Sequence, residues 1–157
     1  GSTGAPKGVK ILERNVPALM SWMHLSEHQV SVADTMLMQS SISFDMSVWQ
    51  YLSSTLGSSS LAILQQSKEK DSAFVVEVMI ETNVSMAVFV PGHFLSILAN
   101  ANFKRCVHFR LLVAGGEPLF RALTRQLEQV NPLAHVWNCY GPTEATACVT
   151  LHQAGIE

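Results

Sequence analysis

Charge is scarce in this 157-residue sequence: Asp, Glu, Lys and Arg make up only 14% of it, and the formal net charge is -2. A chain without a basic field offers nothing to nucleic acid or acidic lipid, so neither partner is implied. Cysteine is nearly as rare. Cys106, Cys139 and Cys148 form no C-x-x-C pair and leave an odd count. That fits a reducing, cytoplasmic compartment better than a disulfide scaffold, and each reads first as a small apolar residue. The six histidines are scattered with no H-E-x-x-H spacing, which argues against a structural zinc site. No apolar run approaches the length of a membrane span, and no signal-peptide pattern is present. There is no initiator methionine. The chain opens inside a glycine-rich loop, as a piece excised from something longer would.

What is present is apolar. Hydrophobic residues make up 48% of the sequence, enough for one folded, well-covered unit of α/β or helical type, and too many for disorder. From residue 60 onward, short apolar runs alternate with amphipathic stretches. Ser60 to Leu64 reads as a buried strand, and Asp71 to Thr82 as a helix capped by Asp71 or Ser72, although the run from Phe74 to Ile80 is ambiguous on periodicity alone. Met86 to Val90 is a second strand closed by Pro91-Gly92, followed by a short helix over His93 to Ala101. Phe109 to Ala114 is a third strand. Pro118 sits where a first helical turn tolerates proline, and Phe120, Leu123, Leu127 and Val130 form one helical stripe ending at Asn131-Pro132. Ala134 to Trp137 is a fourth strand, feeding a loop at Tyr140.

Strands alternating with helices imply a mostly parallel sheet flanked by helices. In such sheets, ligands sit outside the carboxyl ends of the strands. Pro91-Gly92, Gly115-Gly116 and Tyr140-Gly141 all follow strands, so the candidate loops converge on one edge.

Three constellations carry chemistry. Gly1-Ser-Thr-Gly-Ala-Pro-Lys-Gly8 is not a Walker A motif, yet the same physics applies. Glycines let the backbone approach a ligand, the Ser2 and Thr3 hydroxyls donate to phosphate oxygens, and Lys7 adds charge. A flexible surface turn is the bland alternative. In Phe44-Asp45-Met46-Ser47, Asp45 and Trp49 lie four apart, and on a helix they share a face with Met46 beside them. A carboxylate in that company either anchors an ammonium group or caps a helix. Asn138-Cys-Tyr-Gly-Pro-Thr-Glu144 brings together an amide, a ring, a hydroxyl and a carboxylate, enough to hold a base, a phosphate and a metal ion. Val113-Ala-Gly-Gly-Glu117 reads as a strand end with a tight turn. His93 reads as a packed or solvent-facing helix residue, with no role assigned.

Taken together and in this order, these motifs resemble the adenylate-forming superfamily, and specifically the amino-acid-activating (adenylation) domains of nonribosomal peptide synthetases. The resemblance implies a partial adenylation domain over residues 1–157, truncated at both ends, within the larger N-terminal core of such an enzyme. Implied cofactors are ATP and Mg²⁺, with phosphopantetheine on a partner carrier domain. It places Ser2, Thr3, Gly4, Lys7, Gly115, Gly116, Glu117, Asn138, Tyr140, Gly141 and Thr143 at ATP, Glu144 on the metal, and Lys7, Thr143 and Glu144 in the catalytic step. Asp45, Met46, Trp49, Phe89, Leu112, Ala114, Cys139, Ala147 and Cys148 would line the amino-acid pocket. All but Asp45 are apolar or nearly so, which implies an apolar, leucine-like substrate. An acyl-CoA or aryl-acid ligase, or a nucleotide-binding scaffold that has lost catalysis, are the alternatives. Two departures are visible: Glu13 where the family usually has histidine, and Gly92 where it commonly has Pro or Ser. The family's ribose-binding aspartate and mobile lysine would lie beyond Glu157, so the chain alone is expected not to form adenylate at a useful rate.

Overall fold

In the computed structural model, residues 8–25, 30–57 and 59–155 are described. The sheet-forming strands are β1 (Thr35–Met38), β2 (Ser60–Ile63), β3 (Met86–Phe89), β4 (Leu111–Gly115), β5 (His135–Tyr140) and β6 (Thr150–Gln153). The helices are α1 (Asn15–Leu25), α2 (Ser47–Gly57), α3 (Ser72–Glu81), α4 (Pro91–Leu98) and α5 (Arg121–Val130). The strand order is β2-β1-β3-β4-β5-β6, parallel throughout except for the antiparallel β5–β6 pair. The expected parallel α/β architecture is the one observed. No helix among the described residues is long and apolar enough to cross a membrane.

Strand alternation sends successive side chains to opposite faces, and each face has its own core. Leu37, Ala87, Phe89, Leu112 and Ala114 pack against α3, α4 and α5. Here Phe94 stacks on Phe109 with ring centroids 5.8 Å apart, and Phe103 meets both edge-on. Met36, Met86, Val88, Leu111 and Val113 point the other way, against Leu19, Met20 and Met23 of α1 and against Met46 and Trp49 at the start of α2. One face is rich in phenylalanine, the other in methionine.

Local chemistry sets several boundaries. The Asp71 carboxylate accepts from the Phe74 amide at 3.2 Å, so Asp71 is the N-cap of α3. The helix expected over His93 to Ala101 instead runs Pro91–Leu98, with proline at its first position, where the missing N–H costs nothing. Pro118 lies ahead of α5, which starts at Arg121; Phe120 is its extended N-cap, half exposed, and the buried stripe is Leu123, Thr124 and Leu127. The fourth expected strand extends three residues further, through Asn138, Cys139 and Tyr140, because β6 pairs with them. β4 begins at Leu111, two residues later than expected, and runs one residue further, to Gly115.

One carboxylate at the amino edge is buried: Asp34, only 4% exposed. Arg110 donates through Nε to its Oδ1 and through Nη2 to its Oδ2, both at 2.8 Å. Ser85 Oγ donates to Oδ1 at 2.7 Å, and the Ser31 amide and hydroxyl donate to Oδ2 at 2.9 and 3.1 Å. The network ties the starts of β1, β3 and β4 together. Burial alone would raise the Asp34 carboxyl, but the hydrogen bonds from Arg110, Ser85 and Ser31, with the Arg110 charge, bring it down to about 2. The candidate loops lie at the opposite edge.

Candidate nucleotide and amino-acid site

In chain order, the sheet grows from β1 outward to β2 and then resumes on the other side of β1 with β3. This reversal is a topological switch point, where the loops leaving two neighbouring strands part and open a crevice. A cleft of about 820 Å³ sits there, between Met38, Gln39 and Ser40 leaving β1 and Val88, Phe89 and Val90 leaving β3. Gln39 bridges the two strands, its Nε2 donating to the Val88 carbonyl at 2.6 Å. His93 also faces the cleft, with Phe89 edge-on to its ring at 5.1 Å. Burial holds the His93 imidazole below its ordinary range, against the opposing pull of the Glu69 backbone. Sequence reasoning assigned neither Gln39 nor His93. A polar amide directly after the apolar run Met36-Leu-Met38 was the available signal.

The loops after β3, β4 and β5 converge on this same edge, as expected from the parallel order. Glu117, leaving β4, accepts from the Gly92 amide at 3.1 Å and so ties two of the loops together. Gly116 has φ +81°, and a Cβ there would meet Val90 Cγ1 at 3.2 Å, so the turn needs glycine. Asn138 and Tyr140 close β5, with Asn138 half-buried and Tyr140 exposed. Thr143 and Glu144 lie on a one-turn 3₁₀ segment, Thr143–Ala145, and both are exposed.

Gly141 makes this last loop possible. A Cβ at residue 141 would lie 2.5 Å from the Ala147 carbonyl oxygen and 2.6 Å from Cys148 Cα. Those are backbone atoms, which cannot swing aside. Gly141→Ala is therefore expected to displace the loop and lower stability by about 1–3 kcal/mol, read as a fall in the midpoint of thermal unfolding. An unchanged midpoint would show that the loop accommodates the methyl.

Asp45 lies two residues ahead of α2, on a turn fixed by the Phe44 amide on the Ser41 carbonyl at 2.8 Å and the Ser47 amide on the Phe44 carbonyl at 3.0 Å. Half-buried, it accepts a hydrogen bond on Oδ2 from Thr143 Oγ1 at 2.5 Å, across 98 positions of sequence. The two residues singled out for different ligands are thus in direct contact.

The nine expected pocket residues divide between the two faces. Met46, Trp49, Cys139, Ala147 and Cys148 share the methionine-rich cluster beneath Asp45. Phe89, Leu112 and Ala114 lie in the opposite core, and Phe89 joins Met46 and Gly115 in lining the cleft. Trp49 Nε1, Gln50 Nε2 and His93 Nε2 are buried without a hydrogen-bond partner among the described residues. Cys139 and Cys148 face each other sulfur to sulfur, with Cα atoms 6.2 Å apart, a separation a disulfide spans. The reading of cysteine as a plain apolar residue holds for Cys106, which is buried and whose thiol is pushed up to about 11 by burial. For the other two it missed the pairing. Ser2, Thr3, Gly4 and Lys7 lie outside the described residues. Among the described residues no three His, Cys, Asp or Glu side chains gather into a metal site.

Comparison with known proteins agrees with this architecture. The family model for AMP-binding enzymes matches residues 1–156. A plipastatin synthase of Bacillus subtilis (strain 168) is 36% identical over 149 residues, covering 93% of this chain and 6% of that protein. Indigoidine synthase of Streptomyces lavendulae is 30% identical over 146 residues, covering 93% of this chain and 11% of that protein. The chain thus spans only a small part of the length of these relatives. Crystal structures of the nonribosomal peptide synthetase FmoA3 share the fold. Its AMPPNP-bound form superposes with a TM-score of 0.89 at 22% identity, over 96% of this chain and 16% of that one. Its alpha-methyl-L-serine-AMP-bound form gives 0.88 at 23%, over 98% and 18%. Sequence and fold lead to the same place: this chain belongs to the AMP-binding enzyme family.

Proposed function

We propose that this chain forms part of an enzyme that activates an apolar, leucine-like amino acid as its aminoacyl adenylate, for loading onto a phosphopantetheine-bearing carrier domain. The observation that carries the reading is the Asp45 carboxylate, held by Thr143 and followed directly in the chain by Met46, which packs with Trp49, Ala147 and Cys148 in the methionine-rich cluster. A negative group over an apolar floor suits an ammonium ion joined to a hydrocarbon side chain. It gives a plain carboxylic acid no counter-charge. A charged or hydroxylated side chain would leave polar atoms unpaired against that floor, at a cost of several kcal/mol.

In the proposed reaction, the amino-acid carboxylate attacks the α-phosphorus of ATP and pyrophosphate leaves. Both partners are anions, so the site's task is alignment and neutralisation of charge. Asn138 would bond the adenine edge, Tyr140 would stack on its ring, and the Gly115-Gly116 turn would border it. A single exposed carboxylate, Glu144, fits Mg²⁺ as that ion is commonly held, by one or two carboxylates with the remaining positions taken by phosphate oxygens and water. Bound there, the ion would supply charge neutralisation to the phosphates.

The test is amino-acid-dependent ATP–pyrophosphate exchange by the full-length natural polypeptide. Exchange driven by leucine and similar side chains, and at least tenfold weaker with glutamate or lysine, is the expected result. Comparable exchange with the charged amino acids would refute the apolar pocket. ATP binding without exchange by any amino acid would refute the activity.

A further inference from the structure

We propose that Cys139 and Cys148 are a redox-modification site, forming a reversible disulfide that tethers the loop of Tyr140, Thr143 and Glu144 and slows turnover. The link itself does not depend on what the site activates; its effect on turnover rests on the reading above. Nine positions separate the two cysteines. Between them lie Tyr140, Gly141, Thr143 and Glu144, the residues expected at adenine, phosphate and metal.

The backbone alone brings the pair together. Leaving β5, the chain passes Gly141 and the 3₁₀ turn, then doubles back. The reversal is a γ-turn around Ala147, whose φ is 69°, with the Cys148 amide on the Thr146 carbonyl at 2.9 Å. Thr146 before it is also left-handed, with φ of 65°. Two consecutive non-glycine residues in that region are uncommon and persist where the surroundings hold them. The turn lays Cys148 across Gly141, where a Cβ would be 2.6 Å from Cys148 Cα. Val149 then rejoins the sheet, its amide on the Tyr140 carbonyl at 2.9 Å. Cys148 is thereby delivered into the cluster that holds Cys139, with Cα atoms 6.2 Å apart. A disulfide bridges that separation without backbone movement.

Both redox states fit. Reduced, Cys148 Sγ has an acceptor for its proton, the Thr150 carbonyl at 3.4 Å. Each cysteine is only 5% exposed, so the oxidant must be small; the loop between them is exposed from Pro142 to Ala145 and gives the way in. A peroxide suits. It oxidises one thiol to a sulfenic acid and releases a water; the second thiol attacks that sulfur, and the hydroxyl leaves with the thiol proton as a second water. Two protein thiols are oxidised and one peroxide is reduced. Added thiols reverse the link by exchange. Cys106 is the internal control: free, in the opposite core, and pushed up to about 11 by burial, it stays an inert thiol.

The full-length natural polypeptide is treated with hydrogen peroxide, alkylated and digested, and its cysteine peptides are mapped by mass spectrometry. Cys139 and Cys148 are expected to be cross-linked and Cys106 alkylated, with dithiothreitol restoring all three thiols. Amide hydrogen exchange across residues 140–149 should slow about tenfold or more in the linked form, because the link closes a short loop. Leucine-dependent ATP–pyrophosphate exchange should fall about tenfold or more, since a tethered loop cannot follow its ligands through the reaction, and return with dithiothreitol. Cys148→Ala should lose this response to peroxide, judged against its own untreated rate, and Cys106→Ala should keep it. Absence of the Cys139–Cys148 link, or oxidation of Cys106 ahead of the pair, would overturn the inference. So would a linked protein with unchanged loop amides or an unchanged exchange rate. A protein that exchanges with no amino acid, or equally with leucine and its desamino analogue isocaproate, would overturn the amino-acid reading alone, because the mapped link and the loop amides still decide the redox site.

Discussion

Replacing Arg110 by methionine is expected to destabilise the fold by about 3–5 kcal/mol, the range for breaking a buried pair and leaving one charge behind. The two ends of the pair are unequal. The Asp34 side chain is 5% exposed and the Arg110 side chain 36%, so an orphaned carboxylate stays in the interior while an orphaned guanidinium reaches water. Asp34→Asn removes the buried charge, although its single acceptor oxygen can keep only the Ser85 bond or the Ser31 bonds, and should accordingly cost less than Arg110→Met, about 1–3 kcal/mol. The midpoint of urea unfolding of this domain checks the order. Equal losses would mean that the pair contributes little beyond packing.

The same carboxylate sets a pH dependence with a definite sign. Its value in the folded chain, about 2, is below its ordinary 3.8. A depressed carboxyl stabilises above its unfolded value, and that stabilisation is lost as pH falls from about 4 through 2. Without Arg110, burial is opposed only by the Ser85 and Ser31 hydrogen bonds, so the group rises relative to wild type and protonation relieves the variant sooner as pH falls. The gap between wild type and Arg110→Met should be widest near neutrality and narrow below about pH 4. A gap that stays constant from pH 7 to 3 would contradict the ionic account.

Removing Asp45 should have the largest effect on activity. On the proposed function, Asp45→Ala takes away the counter-charge of the substrate's ammonium, worth roughly 2–5 kcal/mol for charges of this kind, or about 30-fold to several thousand-fold in kcat/KM for the amino acid. Because Asp45 is only half-buried, the lower part of that range is expected. Asp45→Asn keeps an oxygen for the Thr143 hydroxyl but not the charge, and should recover little. Exchange rates with leucine and isocaproate separate the causes. A loss confined to leucine supports the charge, whereas the same loss with both would mean that the variant merely loosens the loop.

The sequence was legible where structure is local. β2, β3 and α3 with its Asp71 cap follow from short-range pattern, and the convergence of three loops on one edge follows from strand–helix alternation. β1 and β6 escaped because four residues without alternation, Thr35-Met-Leu-Met38 and Thr150-Leu-His-Gln153, carry no period to read. Tyr140 looked like a loop residue because its partner strand lies ten residues downstream and is itself faint. The site divided in the same way. Motifs gave the residue types around Asp45 and Thr143, but their contact spans 98 positions and the Arg110–Asp34 bond spans 76. Such pairings belong to topology, and spacing along the chain does not encode them. Nor does it encode which pocket residue points to which side of the sheet.

The unlike composition of the two cores bears on how this architecture changes over time. The phenylalanine side, with Phe94, Phe103 and Phe109 in mutual ring contact and Phe89 against Phe94, is a stiff mass in which a change of one ring disturbs its neighbours. The methionine side, with Met20, Met23, Met36, Met46 and Met86, is made of unbranched thioethers with three rotatable bonds each, which re-fill space when a neighbour alters. Asp45 and Thr143 stand over the compliant side. Side chains in that cluster can be exchanged while the sheet keeps its shape, so a change near Asp45 is absorbed by local repacking and needs no new scaffold.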